Sequence, residues 1–225
     1  MNGRAAILGK IGKSLGGNVN DAARAAAVRD RLANPPKGII PERGQLTEGE
    51  RVRLFVEMAE AVQATTAQVS STDDVAEAVA DYLRSRNLPQ TVKTGSDPRL
   101  DAVDWSRAPN LFRTTGASGG DDPVGLSFAA AGVAETGTLV LTSGPDNPTT
   151  LNFLPENHIV VVSAPDIAGD YESVLKGARQ SDGSLPRTVN LITGPSRSGD
   201  IEQTLLLGAH GPRNLHIIVV QGDAS

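Results

Sequence analysis

Two stretches of this sequence, residues 158–162 and 215–220, are apolar at almost every consecutive position. A strand with one face in water alternates apolar and polar side chains, whereas a strand covered on both faces does not. The two stretches are therefore predicted to be buried strands of a mostly parallel α/β sheet with helices on both faces. The same criteria predict five further strands, at residues 67–69, 91–93, 124–131, 137–141 and 189–193.

The first 45 residues have a different pattern, which is typical of helix. Apolar residues recur there at helical spacing: Ile7, Leu8, Ile11 and Leu15. An alanine-rich second helix is predicted over residues 22–32, with Asp21 as its N-cap, and two prolines follow it. We predict an N-terminal helical arm, residues 1–45, ahead of an α/β domain, residues 46–225. Such an arm is expected to pack on the domain or on a partner.

Helices are also predicted between the strands of the domain. Thr47 and Glu50 have the spacing of a capping box, and Thr72 or Asp73 is expected to cap the next helix. A further amphipathic helix is predicted over residues 171–178.

The segment 97–122 has no clear periodicity and is expected to contain little regular structure. Its last part runs into residues 114–123, which are rich in glycine and aspartate. Such a loop can serve as a flap over a site, although a solvated connection between two strands is the simpler interpretation.

Charge and cysteine content narrow the possible classes of protein. The chain has 225 residues and a formal charge of −5, with acidic and basic residues interspersed. Nucleic-acid binding needs clustered Lys and Arg, so we expect no nucleic-acid partner. The chain has no cysteine, so we expect no disulfide and no thiolate ligand from it. Neither a signal peptide nor a membrane span is recognisable, which predicts a soluble, cytoplasmic protein.

The first group of candidate site residues opens the strand predicted at residues 137–141. Glu135 could act there as a base, a nucleophile or a hydrogen-bond acceptor, and Thr136 and Thr138 add hydroxyl groups. Gly137 would allow a ligand or another backbone to approach closely. The structural alternative is that the Glu135 carboxylate bonds backbone amides of a neighbouring loop.

The second group follows the strand predicted at residues 189–193. Thr193, Gly194, Ser196 and Arg197 form a turn, and a helix is predicted after them over residues 201–207. A helix N-terminus favours anions, and the guanidinium of Arg197 suits a carboxylate or phosphate.

Two features of the same turn oppose anion binding. Asp200 has capping-box spacing with the glutamine three residues further on, and it places negative charge where an anion would bind. The alternative to a ligand site is therefore a capped helix in which Arg197 pairs with Asp200.

The three histidines, His158, His210 and His216, lack the spacing of metal ligands. No metal site is therefore predicted. His158 and His210 lie at the ends of predicted elements, where each could be structural or belong to a site. His216 is expected to be a core or edge residue.

Three segments of the chain resemble the lactate utilization protein C family, whose domain is the LUD domain. They are AETGTLVLTSG at residues 134–144, LPENHIVVV at residues 154–162, and ITGPSRSGDIEQTLLLGAHGPRNLHIIVV at residues 192–220. The N-terminal AAILGKIG at residues 5–12 fits the same family. The chain departs from it at DNPTTLNF, residues 146–153, where the family commonly has an arginine.

The resemblance implies a Rossmann-like fold similar to ribose-5-phosphate isomerase, glucosamine-phosphate deaminase and the CoA transferases. It also implies partner subunits that hold iron–sulfur clusters and, with this one, oxidise L-lactate to pyruvate. Because this chain has no cysteine, no cofactor is expected on it and the clusters are expected in the partners.

Three functions follow as hypotheses. In the first, the chain is a component of a multi-subunit L-lactate dehydrogenase and binds a small carboxylate or a partner's redox centre through the two groups above. Arg197 is expected to hold the carboxylate, and His210 is a further ligand-binding candidate. In the second, it is an enzyme in its own right, an isomerase or CoA-transferase-like protein that uses Glu135. In the third, it is a non-catalytic assembly module whose arm docks on a neighbour.

Overall fold

The computed structural model describes residues 3–16, 21–36, 38–178, 184–201 and 204–222, with the backbone alone for residues 199–201 and 204–205. The chain divides into two compact units, residues 1–39 and 40–225. No helix within the described ranges is long and apolar enough to cross a membrane.

The first unit contains two helices, α1 (Gly3–Ser14) and α2 (Ala22–Ala33). Asp21 caps α2 as predicted, since its side chain accepts hydrogen bonds from the backbone N–H groups of Ala23 and Arg24. No described residue of either helix is buried. Their large apolar side chains are exposed, as is Leu15 directly after α1: Ile7, Leu8, Ile11, Val28 and Leu32.

The second unit is the α/β domain. Its α-helices are α3 (Glu48–Ala61), α4 (Val75–Ser85), α5 (Pro98–Asp101) and α6 (Tyr171–Gly177). Its strands are β1 (Thr65–Val69), β2 (Thr91–Thr94), β3 (Phe112–Thr115), β4 (Val124–Phe128), β5 (Ala131–Val133), β6 (Thr138–Thr142), β7 (Asn157–Ser163), β8 (Ile167–Ala168), β9 (Val189–Ile192), β10 (Arg197–Ile201), β11 (Thr204–Leu207) and β12 (Asn214–Val220).

Six strands form a parallel sheet in the order β1-β12-β7-β4-β2-β3. The two apolar stretches recognised in the sequence are its neighbouring central strands β7 and β12, in which Val160 lies opposite Ile217. The predicted class is thus confirmed: a mostly parallel α/β sheet, preceded by N-terminal helices.

Alternate side chains of each central strand enter two different cores. Ile159 and Val161 pack with buried residues of α4 and α5 on what we call the α4 face. Val160 and Val162 pack with α3 on the opposite side, the α3 face. This arrangement explains why the strands are apolar at consecutive positions.

A second sheet, in the order β8-β5-β6-β9, joins α3 in covering the α3 face. Leu139 and Leu141 of β6 and Ile167 of β8 belong to that core. The capping box predicted at the start of α3 is confirmed, because the backbone N–H and the hydroxyl of Thr47 both donate to the Glu50 carboxylate.

Three sequence predictions of local structure need correction. The strand expected over residues 124–131 is two strands, β4 and β5, in different sheets. The segment 97–122 contains α5, capped by Asp97, and the edge strand β3. Ser71 forms a capping box with Asp74 at the 3₁₀ turn that leads into α4, and Asp74 is the N-cap residue of α4, so neither Thr72 nor Asp73 is the cap.

The helix predicted over residues 201–207 is wrong. The chain forms an antiparallel hairpin there, in which β10 pairs with β11 and Arg197 lies opposite Leu207. Backbone groups that a helix would use within itself are paired between two strands instead. The local capping pattern at Asp200 is thus overridden by strand pairing, and the helix N-terminus that was expected to attract an anion is not formed.

Candidate functional site

The two groups of candidate residues, far apart in sequence, meet because β6 pairs with β9. Leu139 lies opposite Ile192, which brings the residues before β6 next to those after β9. The hydroxyl oxygens of Thr138 and Thr193 are 2.7 Å apart.

A cluster of four hydroxyl groups forms at this junction. The hydroxyl of Thr138 lies 2.7 Å from that of Thr136 and 2.8 Å from that of Tyr171, and Thr136 also donates to Tyr171 over 3.0 Å. Tyr171, at the start of α6, was not singled out from the sequence. The threonines therefore satisfy one another, and only Thr193 of the four is exposed.

A cavity of about 270 Å³ lies beside this cluster. Five residues predicted from the sequence line it: Thr193, Gly194, Ser196, Arg197 and His210. Two fully buried polar residues line it as well, Asn152 and His158. The cavity thus has a buried polar end and a rim on which Arg197 and His210 are exposed.

The turn after β9 is fixed on the C-terminal end of α3. Arg197 donates from Nη2 to the backbone carbonyl of Val62, the residue that follows α3. Gly194 has φ +73°, and a Cβ there would lie 2.5 Å from the same carbonyl oxygen. A basic side chain near a helix C-terminus stabilises its last carbonyls, so Arg197 has this structural role beside any role toward a ligand.

Gly137 was expected to allow close approach of either a ligand or another backbone. Its φ is +63°, and a Cβ there would overlap backbone atoms of Ala59 in α3. The close approach is therefore between two backbones.

The segment that presents His210 is held by Ser196. The backbone N–H of His210 donates to Ser196 Oγ over 3.3 Å, and the N–H of Gly208 donates to the Ser196 carbonyl over 2.9 Å. The N–H of Ser196 donates to the carbonyl of Pro212. Asp200 lies in β10, and its side chain is outside the described residues.

Glu135 lies apart from the residues that line this cavity. Its carboxylate is buried, and Oε2 lies 3.6 Å from Nε of the exposed Arg43. This oxygen has no hydrogen-bond partner among the described residues, so the expected bonds to backbone amides are not observed at it. A catalytic role for Glu135 stays a prediction.

The buried end of the cavity is a group of three residues. His158 Nε2 lies 3.0 Å from Ser127 Oγ, and Ser127 donates a long hydrogen bond of 3.5 Å to Asn152 Oδ1. Burial lowers the pKa of His158 to about 3, so its imidazole is neutral at physiological pH. Sequence reasoning left the role of His158 open and missed Asn152, which no motif marks.

A larger cleft, of about 640 Å³, runs along β1 and α4, but several of its polar residues are already paired. His216 stacks on Tyr82 with ring centroids 4.1 Å apart and lies 2.9 Å from the Thr65 hydroxyl. Asp74 and Glu77 both accept from Arg107. Two buried polar residues with an unpartnered atom, Asn152 and His158, line the smaller cavity together with residues predicted from the sequence, so that cavity is the better candidate site. Among the described residues, no three acidic or histidine side chains are grouped to hold a metal.

The chain is similar to known proteins over about half of its length. The chain is 33% identical over 128 residues to an uncharacterized protein of Neisseria meningitidis serogroup B, which covers 57% of this chain and 54% of that protein. It is 38% identical over 105 residues to lactate utilization protein C of Geobacillus thermodenitrificans, which covers 43% of this chain and 42% of that one. The matches thus span about half the length of these curated relatives.

A solved structure shares the fold. The crystal structure of a DUF162 family protein from Deinococcus radiodurans matches with a TM-score of 0.58 and 22% identity, over 78% of this chain and 99% of that one. The family model of the LUD domain matches residues 52–220, which include both central strands and every residue named on the cavity. The chain therefore belongs to the LUD domain family.

Proposed function

We propose that this chain is a subunit of an L-lactate utilization system and that it binds a small carboxylate, lactate or pyruvate, in the cavity beside the turn after β9. Relatives that match 43% of the chain are named lactate utilization protein C, which supports the general role. The cavity supports the binding role, because its size suits a small metabolite rather than a nucleotide or a thioester.

The single observation that carries the proposal is the convergence of residues around this cavity. An exposed cation, Arg197, lies at the rim, and buried polar side chains lie at the far end. Arg197 donates from one Nη atom to Val62, and a guanidinium has five N–H donors, so others remain for a carboxylate.

In this proposal, partner subunits carry out the electron transfer of lactate oxidation. This chain has no cysteine and so provides no thiolate for an iron–sulfur cluster. Its role in the proposal is to bind and orient the carboxylate for a partner that accepts the electrons.

The N-terminal arm favours an additional role in assembly. The apolar residues of α1 are exposed, and residues 1–39 have seven Lys or Arg against two Asp or Glu. An exposed apolar stripe on a basic helix is suited to docking on an acidic partner subunit. Deletion of residues 1–39 is expected to abolish co-purification with such a partner while carboxylate binding persists. Unchanged co-purification would contradict this role.

The test of the proposal is ligand-dependent stability of the purified chain. A ligand that binds only the folded state raises the melting temperature by mass action. L-lactate or pyruvate is expected to raise it, whereas sugar phosphates and CoA thioesters are not.

Arg197→Ala is expected to weaken carboxylate binding by about 1.5–3 kcal/mol, the usual value of a hydrogen bond to a charged group. Arg84→Ala, on the exposed side of α4, is the matched control and should leave binding unchanged. Equal affinity of the Arg197 variant and the wild type would contradict the proposed role of this side chain, and a response only to CoA or sugar phosphates would favour a separate enzyme.

A further inference from the structure

At the buried end of the cavity, donors and acceptors can be assigned to three hydrogen-bonding side chains. Ser127 is the fourth residue of β4, His158 is the second residue of β7, and Asn152 ends the 3₁₀ turn Thr149–Asn152. All three are buried, with Asn152 and His158 fully inaccessible. Their side chains meet on the α3 face, beyond the apolar part of that core.

The direction of each bond follows from the donors that are present. The amide oxygen of Asn152 can only accept, so the hydroxyl hydrogen of Ser127 points toward Asn152. With the Asn152 amide oriented in this way, the oxygen of Ser127 accepts from His158, and we assign the imidazole proton to Nε2. A neutral imidazole has one proton, and His158 Nδ1 therefore presents a lone pair.

Within this group of three residues, two buried nitrogen atoms have no hydrogen-bond partner among the described residues. They are His158 Nδ1, an acceptor, and Asn152 Nδ2, a donor. A buried polar group without a partner is destabilising, and such groups are uncommon in folded proteins. Both residues line the cavity but are fully inaccessible, so a ligand in it bonds to these two atoms when the two side chains turn toward it.

We infer that this pair recognises a hydroxyl group beside a carboxylate: His158 Nδ1 accepts the hydrogen bond of the hydroxyl, and Asn152 Nδ2 donates to an oxygen of the same ligand. The ligand class is a small 2-hydroxy acid. The inference rests on the proposed function and adds to it a preference for the hydroxy acid over the corresponding acid without a hydroxyl group.

The same chemistry makes His158 a positioning residue and not a base. Burial holds the pKa of His158 at about 3, so its imidazole is too weakly basic to take a proton from an alcohol near neutral pH. The histidine orients the hydroxyl group and takes no proton from it.

The experiment compares L-lactate with propionate, which has the same carboxylate and carbon chain but no hydroxyl group. Affinities are measured by calorimetry or NMR titration on the full chain. The wild type is expected to prefer lactate by about tenfold, the value of one hydrogen bond of ordinary strength.

His158→Gln is the informative variant. A glutamine places an amide N–H near the position of Nε2, which keeps the bond to Ser127, but it has no acceptor at the position of Nδ1. The variant is expected to bind lactate and propionate equally, with propionate affinity close to that of the wild type. Asn152→Leu is the companion variant and is expected to weaken both ligands, because both share the carboxylate.

A measurement on the wild type keeps the inference testable if a variant fails to fold. The ¹⁵N chemical shifts of the His158 ring are expected to show the proton on Nε2, and the Nδ1 signal should move with lactate but not with propionate. A proton on Nδ1, or equal affinities for lactate and propionate in the wild type, would overturn the inference while the proposed function stands. Failure of both acids and of pyruvate to bind would overturn the proposed function itself.

Discussion

The two faces of the six-stranded sheet are built from neighbouring residues of the same strands, yet their chemistry differs at one end. Leu126 and Ile159 point to the α4 face, which is a continuous apolar core. The adjacent residues Ser127 and His158 meet with Asn152 on the other side of the sheet. The first face thus contributes packing, whereas the second combines packing with a polar end that opens on a cavity.

This difference identifies the end of the α3 face as a place where unpartnered polar groups and a cavity occur together. Two polar nitrogens without partners are buried at the end of the α3 face, in residues that line a cavity. Ligand-binding sites commonly contain buried polar groups without partners, which lower the stability of the free protein until the ligand bonds to them. The α4 face should therefore dominate stability, and the polar end of the α3 face should dominate binding.

The largest expected effect is on the α4 face. Leu126→Ala removes a fully buried side chain and should lower the free energy of unfolding by about 2–5 kcal/mol, through lost burial and the cavity that remains. Chemical denaturation measures the loss. The affinity of the folded variant for lactate should be unchanged. A loss of lactate affinity as large as the loss of stability would show that the α4 face also contributes to binding.

Acidification should weaken the fold through two buried histidines. Burial lowers the pKa of His158 to about 3 and that of His216 to about 4, below the value of about 6.5 expected in the unfolded chain. Their contribution to stability is present above pH 6.5 and is lost as the pH falls toward 4 and 3, since the unfolded state then binds more protons.

From pH 7 to pH 5 each histidine should account for a loss of roughly 2 kcal/mol. Denaturation curves at the two pH values measure this loss, and His216→Phe, which keeps an aromatic ring on Tyr82, should halve it. A stability that is constant over this interval would show that both imidazoles are exposed to water.

A smaller effect is expected from Ser127→Ala on the α3 face. The change leaves His158 Nε2 and Asn152 Oδ1 without their partner and should cost about 1–3 kcal/mol, less than Leu126→Ala. It should also lower lactate affinity, because the tautomer of His158 is no longer fixed. Loss of stability with unchanged lactate affinity would show that the bond between His158 and Ser127 has no role in ligand binding.

The smallest effect on stability is expected at the rim of the cavity. Arg197→Ala removes an exposed side chain and its bond to the Val62 carbonyl, for about 0.5–1.5 kcal/mol by thermal or chemical denaturation. A loss as large as that of Leu126→Ala would mean that the turn after β9 is part of the core and not the rim of a site.

Much of the domain is predictable from the sequence because burial on two faces leaves a direct signal. The apolar runs of β7 and β12, the capping box at Thr47 and the cap at Asp21 are local patterns, and the structure contains each of them. Five residues of the turn after β9 were identified as site candidates on their chemistry, and four of them, Thr193, Gly194, Ser196 and Arg197, line one cavity.

What the sequence did not predict depends on contacts between distant segments. Residues 201–207 satisfy a helical capping pattern, but pairing of β10 with β11 decides their structure. Asn152 is 25 residues from Ser127 and belongs to no motif, so its place at the cavity follows only from the fold. Tyr171 joins the threonine cluster for the same reason.

The central claim, that the cavity beside the turn after β9 binds a small hydroxy acid, is tested most directly by titrating the ¹⁵N-labelled chain with L-lactate. The account predicts saturable shifts of the backbone amides of Thr193, Gly194, Ser196 and His210, together with the ring nitrogens of His158. Shifts centred on Glu135 and Arg43 instead, or no shift at lactate concentrations well above physiological, would contradict it.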